Sequence, residues 1–293
     1  LAIVDEAQSF GPHLQPFVDD VIQPALMDHR GTVALIGTPS VRCAGLFYDA
    51  TMGKAPGWSR HRWSVLDNPF LPHAAEELER IKRVKGWTDV TPAFRREYLG
   101  EWVHDDTGLV YKYDSGRNGW SGSLPPGLVW EHCIGGDLGY NDATSFVVWA
   151  FSRELPDVYA VEVWKQTGVL PSEAARKLVQ LRDKYEPYSI VVDTGGGGKA
   201  IVEEMKQRYG LAIKAAEKRD KFATIELLND DLLAGRVHVA EDSPLTQEWL
   251  YLPRDPNAPP DKPAEDPAFD NHAADAGLYG WREAKHWTWQ PPV

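Results

Sequence analysis

The spacing of apolar residues changes several times along the chain, and each change marks an element. Leu1-Ala2-Ile3-Val4 is a short apolar run that ends in Asp5-Glu6, and Thr32-Val33-Ala34-Leu35-Ile36-Gly37 is a second run of the same kind. Arg62-Trp63-Ser64-Val65-Leu66 has the composition of a strand stopped by Asp67-Asn68-Pro69. The spacing predicts helices over 72–85 and 92–102, the second with Phe94, Tyr98 and Trp102 on one face and Pro92 at its start. From 105 to 126 the chain is rich in Gly, Ser, Asp and Pro and carries one short strand, Leu109-Val110-Tyr111. These shifts divide the chain into 1–104, a connection over 105–128, and 129–293.

The order of elements after 129 is informative. Three strands at 132–138, 145–151 and 158–164 follow one another closely. A helix at 171–186, a strand at 189–193, a helix at 199–209 and a strand at 212–215 come next. A helix at 222–233, a strand at 236–239 and further helical segments complete the chain. Three antiparallel strands followed by α/β alternation is the order of a ribonuclease H-like mixed sheet, in which the first strand lies beside the fourth.

That topology gives three acids a common destination. Asp137 lies in the first strand of the predicted sheet, Asp193 ends the fourth, and Asp275 lies in a C-terminal helix whose alanines permit close approach to the sheet. An unpaired carboxylate is costly in such surroundings. Oxygen ligands suit Mg2+ or Mn2+, and a pair of such ions can activate water and stabilise the leaving oxygen of a phosphodiester. Each acid also has a structural alternative: Asp137 as a turn cap, Asp193 as a helix cap, Asp275 as a solvated helix position. Asp142 is a candidate to support the site, with a turn role as its alternative, and Asp270 and His272 are expected to support the site as well. Glu162 is expected to face solvent. The run Gly195–Gly198 would let the backbone approach a metal or a phosphate. Lys214, Lys218, Arg219 and Lys221 form the densest basic cluster of this half, able to touch a phosphate backbone or to sit as a solvated helix start.

The first third points to a different chemistry. An Asp at the end of an apolar strand can hold magnesium in a nucleotide motor, and the next Glu can polarise the attacking water. Asp5 and Glu6 fit those roles, and Thr38 lies in a hydroxyl-bearing loop after the second strand. No G-x-x-x-x-G-K-[ST] loop occurs, and that loop supplies the phosphate cradle. The chain as given is therefore not expected to bind ATP usefully. It begins at Leu1 inside a strand pattern, as a fragment would.

Composition narrows the picture further. With 293 residues, 43% apolar, the chain can build two packed cores. A net charge of -12 excludes a global attraction to nucleic acid, so any DNA contact must come from a local basic surface or from bound cations. Cys43 and Cys133 are the only cysteines, which excludes a disulfide framework. No apolar run is long enough to span a bilayer, and the chain is expected to be soluble and intracellular.

Together these stretches resemble the large subunit of tailed-bacteriophage terminases. The resemblance rests on Val4-Asp5-Glu6-Ala7-Gln8, Ile36-Gly37-Thr38-Pro39, Asp67-Asn68-Pro69, Phe94 to Trp102, and the acids Asp137, Asp193 and Asp275 in this order. It implies the C-terminal part of a P-loop ATPase domain followed by a ribonuclease H-like nuclease. On this resemblance Asp5 would bind magnesium, Glu6 would be the ATPase base, Thr38 would lie in the coupling motif, and ATP would serve the full-length protein. The three nuclease acids would hold Mg2+ or Mn2+ and cut concatemeric viral double-stranded DNA. Implied partners are that DNA, the small terminase subunit and the portal protein, in the host bacterial cytoplasm and with no membrane. The rival readings are a resolvase or transposase nuclease of the same fold, and a non-catalytic docking piece of a packaging motor.

Overall fold

Nine consecutive residues, Ala143–Phe151, are all buried, which places this strand in the interior of a sheet covered on both faces. The computed structural model describes residues 1–41, 43–103, 108–139, 142–195, 198–255, 257–259 and 262–289. The chain divides into two compact units, Leu1–Leu109 and Val110–Val293.

In the first unit, β1 (Ala2–Val4) pairs in parallel with β2 (Val33–Leu35), in the register Val4↔Leu35. Irregular helical turns fill 7–29, and Val4, Ala7, Leu14, Val18, Leu46 and Phe47 form the core. Helices α1 (Leu46–Met52), α2 (Ala74–Lys85) and α3 (Pro92–Leu99) follow. Two expectations change here. Residues 62–64 form no strand; Ser64 and Asp67 instead cap a tight 3-10 turn over Val65–Asp67, with Ser64 N–H donating to Asp67 Oδ2 at 2.7 Å. Helix α3 stops at Leu99 because Gly100 turns left-handed at φ +60. Trp102 thus leaves the expected helical face and packs edge-on against Phe47 and Tyr48.

The second unit is a six-stranded mixed sheet in the order β7-β6-β3-β4-β5-β8. Its strands are β3 (Glu131–Asp137), β4 (Ala143–Phe151), β5 (Val158–Thr167), β6 (Ser189–Val192), β7 (Ile213–Ala215) and β8 (Val237–Val239). The β3–β4 and β4–β5 pairs are antiparallel; β3–β6, β6–β7 and β5–β8 are parallel. This is the ribonuclease H-like arrangement, with the first strand of the sheet beside the fourth. Helices α4 (Pro171–Tyr185) and α5 (Gly198–Tyr209) cover one face, where Phe146 and Val148 join their apolar side chains. Helices α6 (Lys221–Leu233), α7 (Pro244–Tyr251) and α8 (His272–Glu283) cover the other, against Val147, Trp149 and Phe151. The split of β4 side chains by twos assigns each to one core.

The stretch expected as a connection belongs to the second unit from 110 onward. Val110, Tyr111 and Tyr113 are buried in its core. They form no strand: the buried Asn229 side chain donates to Val110 O and accepts from Lys112 N–H, at 2.9 Å each. Of the Gly195–Gly198 run, Gly196 and Gly197 lie outside the described residues. No helix among the described residues is long and apolar enough to cross a membrane.

Candidate active site

The site is built where two parallel strands end side by side. Strands β3 and β6 run in the register Gly136↔Val192, so Asp137 and Asp193 are the next residue of each. The Asp193 N–H donates to Gly136 O at 2.9 Å, which carries the pairing one step past β6. Both carboxylates are mostly enclosed, with 14% and 13% of the side chain exposed. Asp193 is further fixed by the Gly195 N–H, which donates to its Oδ1 at 2.7 Å.

Helix α8 brings the third acid over this edge. Its approach is allowed by glycine on both surfaces rather than by alanine alone. A Cβ on Gly135 of β3 would lie 1.9 Å from Ala276 O, and one on Gly280 would lie 2.7 Å from Gly135 N. The Trp149 indole donates to Gly277 O at 2.9 Å and locks the helix in place. At the other end the buried Glu248 accepts the Ala274 N–H at 2.7 Å, capping the first turn with a negative charge where the helix favours one. Lys165 balances that charge at 2.8 Å. Asp275, in the same first turn, is thereby held with 13% of its side chain exposed.

Two ammonium groups stand among the acids. Lys218 Nζ lies 2.5 Å from Asp193 Oδ2, and Lys221 Nζ lies 2.6 Å from both Asp275 Oδ1 and Glu265 Oε2. His272 Nδ1 lies 2.8 Å from Asp137 Oδ2. That hydrogen bond raises the His272 pKa against the opposing effect of burial. Burial pushes the Asp275 carboxyl up to about 7, aided by the charges of Glu265 and Asp137, and the ion pair with Lys221 only partly offsets it. Burial works against the Lys221 ammonium too, but the charges of Asp275 and Glu265 outweigh it and raise its pKa. The Tyr279 hydroxyl is pushed far above its usual range by burial and then by Asp275, Asp193, Asp137 and Glu265, so one phenol senses all four acids.

This donor set suits a hard divalent cation. The acids offer carboxylate oxygens, and Glu265 Oε1 is buried with no hydrogen-bond partner among the described residues. No three His, Cys, Asp or Glu side chains among the described residues stand as a ready-made metal cluster; Lys218 and Lys221 hold the acids instead.

Residues 134–251 match the family described as Terminase RNaseH-like domain. Over that span the chain is similar to a terminase ribonuclease H-like domain. The matched span includes Asp137 and Asp193 and ends before Asp275, whose place rests on the geometry of α8. Among curated proteins none matches the sequence. Of solved structures, the large terminase of the thermophilic bacteriophage D6E in complex with ATP-gamma-S is 18% identical, with a TM-score of 0.51. The match covers 95% of this chain and 69% of that one. Another crystal form of the D6E large terminase is 17% identical at a TM-score of 0.50, and this chain covers 66% of its length. The large terminase nuclease of the thermophilic phage G20c with bound cobalt is 17% identical at a TM-score of 0.50. The match covers 61% of this chain and all of that one, at 100%. At these identities the structures establish the fold.

Within the second unit the expected residues take several positions. Asp137, Asp193 and Asp275 converge around Tyr279, and His272 touches Asp137 directly. Asp270, 66% exposed, pairs with Lys165 at 2.9 Å and so supports the Lys165–Glu248 cap rather than the acids themselves. Asp142 is exposed in the turn before β4. Of the basic cluster, Arg219 is the most exposed, at 88%, and Lys214 and Lys218 also reach solvent. Lys221 differs from its expected DNA-facing place, being turned onto two acids. Lys214 pairs with Glu283. Glu162 does not face open solvent: hydrogen bonds from Lys177, Lys184 and Tyr185 overcome its burial and hold its carboxyl down at about 2. Glu265, Glu248 and Tyr279 were not anticipated. A short stretch rich in Pro and Asp conceals Glu265, whereas Tyr279 could have been found one helical turn beyond Asp275.

In the first unit, Asp5 and Glu6 end β1 and are both exposed. Asp5 Oδ1 accepts the Glu6 N–H at 3.0 Å, and Glu6 takes a left-handed backbone at φ 51 with its carboxylate bonded to the Gln8 amide. Thr38 is half-buried in the loop after β2, whose Ile36 O accepts the Ala7 N–H at 2.9 Å. The loops after the two parallel strands are therefore tied together.

Proposed function

We propose that the second unit is a divalent-metal-dependent endonuclease for double-stranded DNA, working as the nuclease of a viral packaging motor. The observation that carries this reading is the convergence of Asp137 and Asp193, one residue beyond a shared strand register, with Asp275 delivered above them by α8. Asp137, Asp193 and Asp275 would hold Mg2+ or Mn2+, which when bound supplies an activated water and charge neutralisation for phosphodiester hydrolysis. The chain's own groups prepare the site. Glu248 and Lys165 fix the first turn of α8, and Gly135 and Gly280 set its distance from the sheet. His272 orients Asp137 and can hold or release a proton beside it. Lys218, beside Asp193, and the exposed Arg219 would meet backbone phosphates.

In the longer protein we assign the first unit to the ATPase motor, with Asp5 on magnesium, Glu6 as base and Thr38 in the coupling loop. The D6E structure with ATP-gamma-S supports that assignment for its own protein. The G20c nuclease with bound cobalt supports divalent metal use in the same way. The substrate is then concatemeric viral DNA in the host bacterial cytoplasm, with the small terminase subunit and the portal protein as partners. The test is plasmid nicking with and without Mn2+, for the parent and for Asp137→Asn, Asp193→Asn and Asp275→Asn. Nicking that needs Mn2+ and vanishes in all three variants is expected. Nicking by all three at the parent rate sinks the reading.

A further inference from the structure

Lys221 is the first residue of α6, and a cation there opposes the helix dipole, which favours negative charge at that end. Its stem follows Asp220, which is held in a left-handed conformation at φ 53. Such a placement needs compensation. It comes from two carboxylates on different elements, Glu265 and Asp275, each 2.6 Å from the same ammonium.

The pairing is built in from several sides. Backbone bonds Asp255 N–H to Ala264 O, 2.8 Å, and Asp266 N–H to Pro253 O, 3.0 Å, close the strap that carries Glu265. Arg254 on that strap binds Glu226 of α6 at 2.6 Å and lies over the Phe222 ring, so strap and helix are fastened one residue and more past Lys221. Asn271, the residue before α8, donates to the same Glu265 oxygen at 2.8 Å. Lys218 is a poorer comparison, with one carboxylate partner and 51% exposure against 24% for Lys221.

An ammonium bridging two acids does electrostatically what a divalent ion would do there, with half the charge. Lys218 and Lys221 pair with three carboxylates, Asp193, Asp275 and Glu265, and the fourth, Asp137, pairs with His272, so four acids meet at most three cationic groups and negative charge is left for a cation to neutralise. Resting on the metal-site reading above, we propose that Lys221 is the built-in counter-ion of the site: its ammonium holds Asp275 and Glu265 in the metal-free protein, is displaced when a divalent ion enters, and so sets the affinity for that ion. A lysine that only ties the strap to α8 would behave differently, since its loss would leave metal affinity unchanged or lower.

Calorimetric titration with Mn2+ of the full chain tests this without any assay of cleavage. Lys221→Met should tighten Mn2+ binding by about ten-fold, because no ammonium then competes for the acids. Lys221→Arg, which keeps the charge, should stay near the parent, as should Arg219→Ala. A second measurement needs no substitution. In the parent chain, acetylation of Lys221 followed by mass spectrometry should rise several-fold at saturating Mn2+, while Lys177, bonded to Glu162 on the opposite face, stays constant. If Lys221→Met does not fold, the labelling decides. Unchanged or weaker Mn2+ binding in Lys221→Met, or labelling that does not rise, overturns the counter-ion while leaving the nuclease reading intact. A parent chain that takes up no Mn2+ overturns both.

Discussion

Both units place carboxylates at the end of a strand that runs parallel to its neighbour, and they treat them in opposite ways. In the first unit, β1 and β2 form a two-stranded sheet, and Asp5 and Glu6 at its end are open to solvent. In the second, β3 and β6 lie inside six strands, and a helix crosses their ends at the distance set by glycine against glycine. There the acids are desolvated, and the unit answers with Lys218, Lys221, His272 and the Lys165–Glu248 pair. The same strand-end placement is thus a poised, high-energy site only where a third layer covers it. Geometry alone brings the acids together; burial makes them demand a cation.

The sharpest way to break this comparison is to neutralise acids on each side of it. Asp137→Asn, Asp193→Asn and Asp275→Asn should each lower Mn2+-dependent nicking by about a thousand-fold, the scale of losing one preorganised electrostatic group. Asp5→Asn and Glu6→Gln should leave it at the parent rate. Loss of nicking in the latter pair would show that the two units do not divide the chemistry as proposed. Next in size is the covering helix itself. Gly135→Ala puts a methyl 1.9 Å from the backbone oxygen of Ala276, with no flexible side chain to yield. Urea denaturation should report a loss of about 3 kcal/mol, and a loss below a few tenths would mean that α8 is not held against the sheet.

Smaller effects sharpen the electrostatic half. Glu248→Gln removes the charged cap of α8 and strands Lys165 with Asp270 alone, and should cost about 2 kcal/mol by the same denaturation. The pH dependence is the mildest. Asp275 titrates near 7 in the folded chain against an ordinary value of 3.8, so its folded form favours the proton. That stability is fully present below the ordinary value and is lost as pH rises through about 7. His272, raised by Asp137, adds a loss of the same sign above its ordinary 6.5. The metal-free chain should melt a few degrees lower at about pH 8 than at about pH 6, and Asp275→Asn should flatten the slope. A slope unaltered by that substitution would remove Asp275 from the account.

Much of the second unit was legible along the chain. The run Ser145-Phe146-Val147-Val148-Trp149-Ala150 was legible as an apolar strand, and the element order from 132 to 239 matches β3 to β8 with bounds that differ by at most three residues. Asp137 and Asp193 were legible because each ends an apolar run, and a topology that pairs those runs in parallel must bring the acids together. The expected strand at 62–66 failed because a strand needs a partner for its ladder. A Ser64–Asp67 cap satisfied the local backbone first.

What the sequence determined by itself is therefore the order of elements, the two cores and the acids at strand ends, since period and polarity act over a few residues. Only the tertiary structure decided which charges meet. Lys221 looked like part of a basic cluster that touches phosphates or stands in solvent, because its neighbours in sequence are Lys218 and Arg219. Its neighbours in space are Glu265 and Asp275, carried in by a strap and a helix that arrive more than forty residues later. Coulomb energy follows distance through space and the loss of water around a charge, and neither quantity is written in the linear chain.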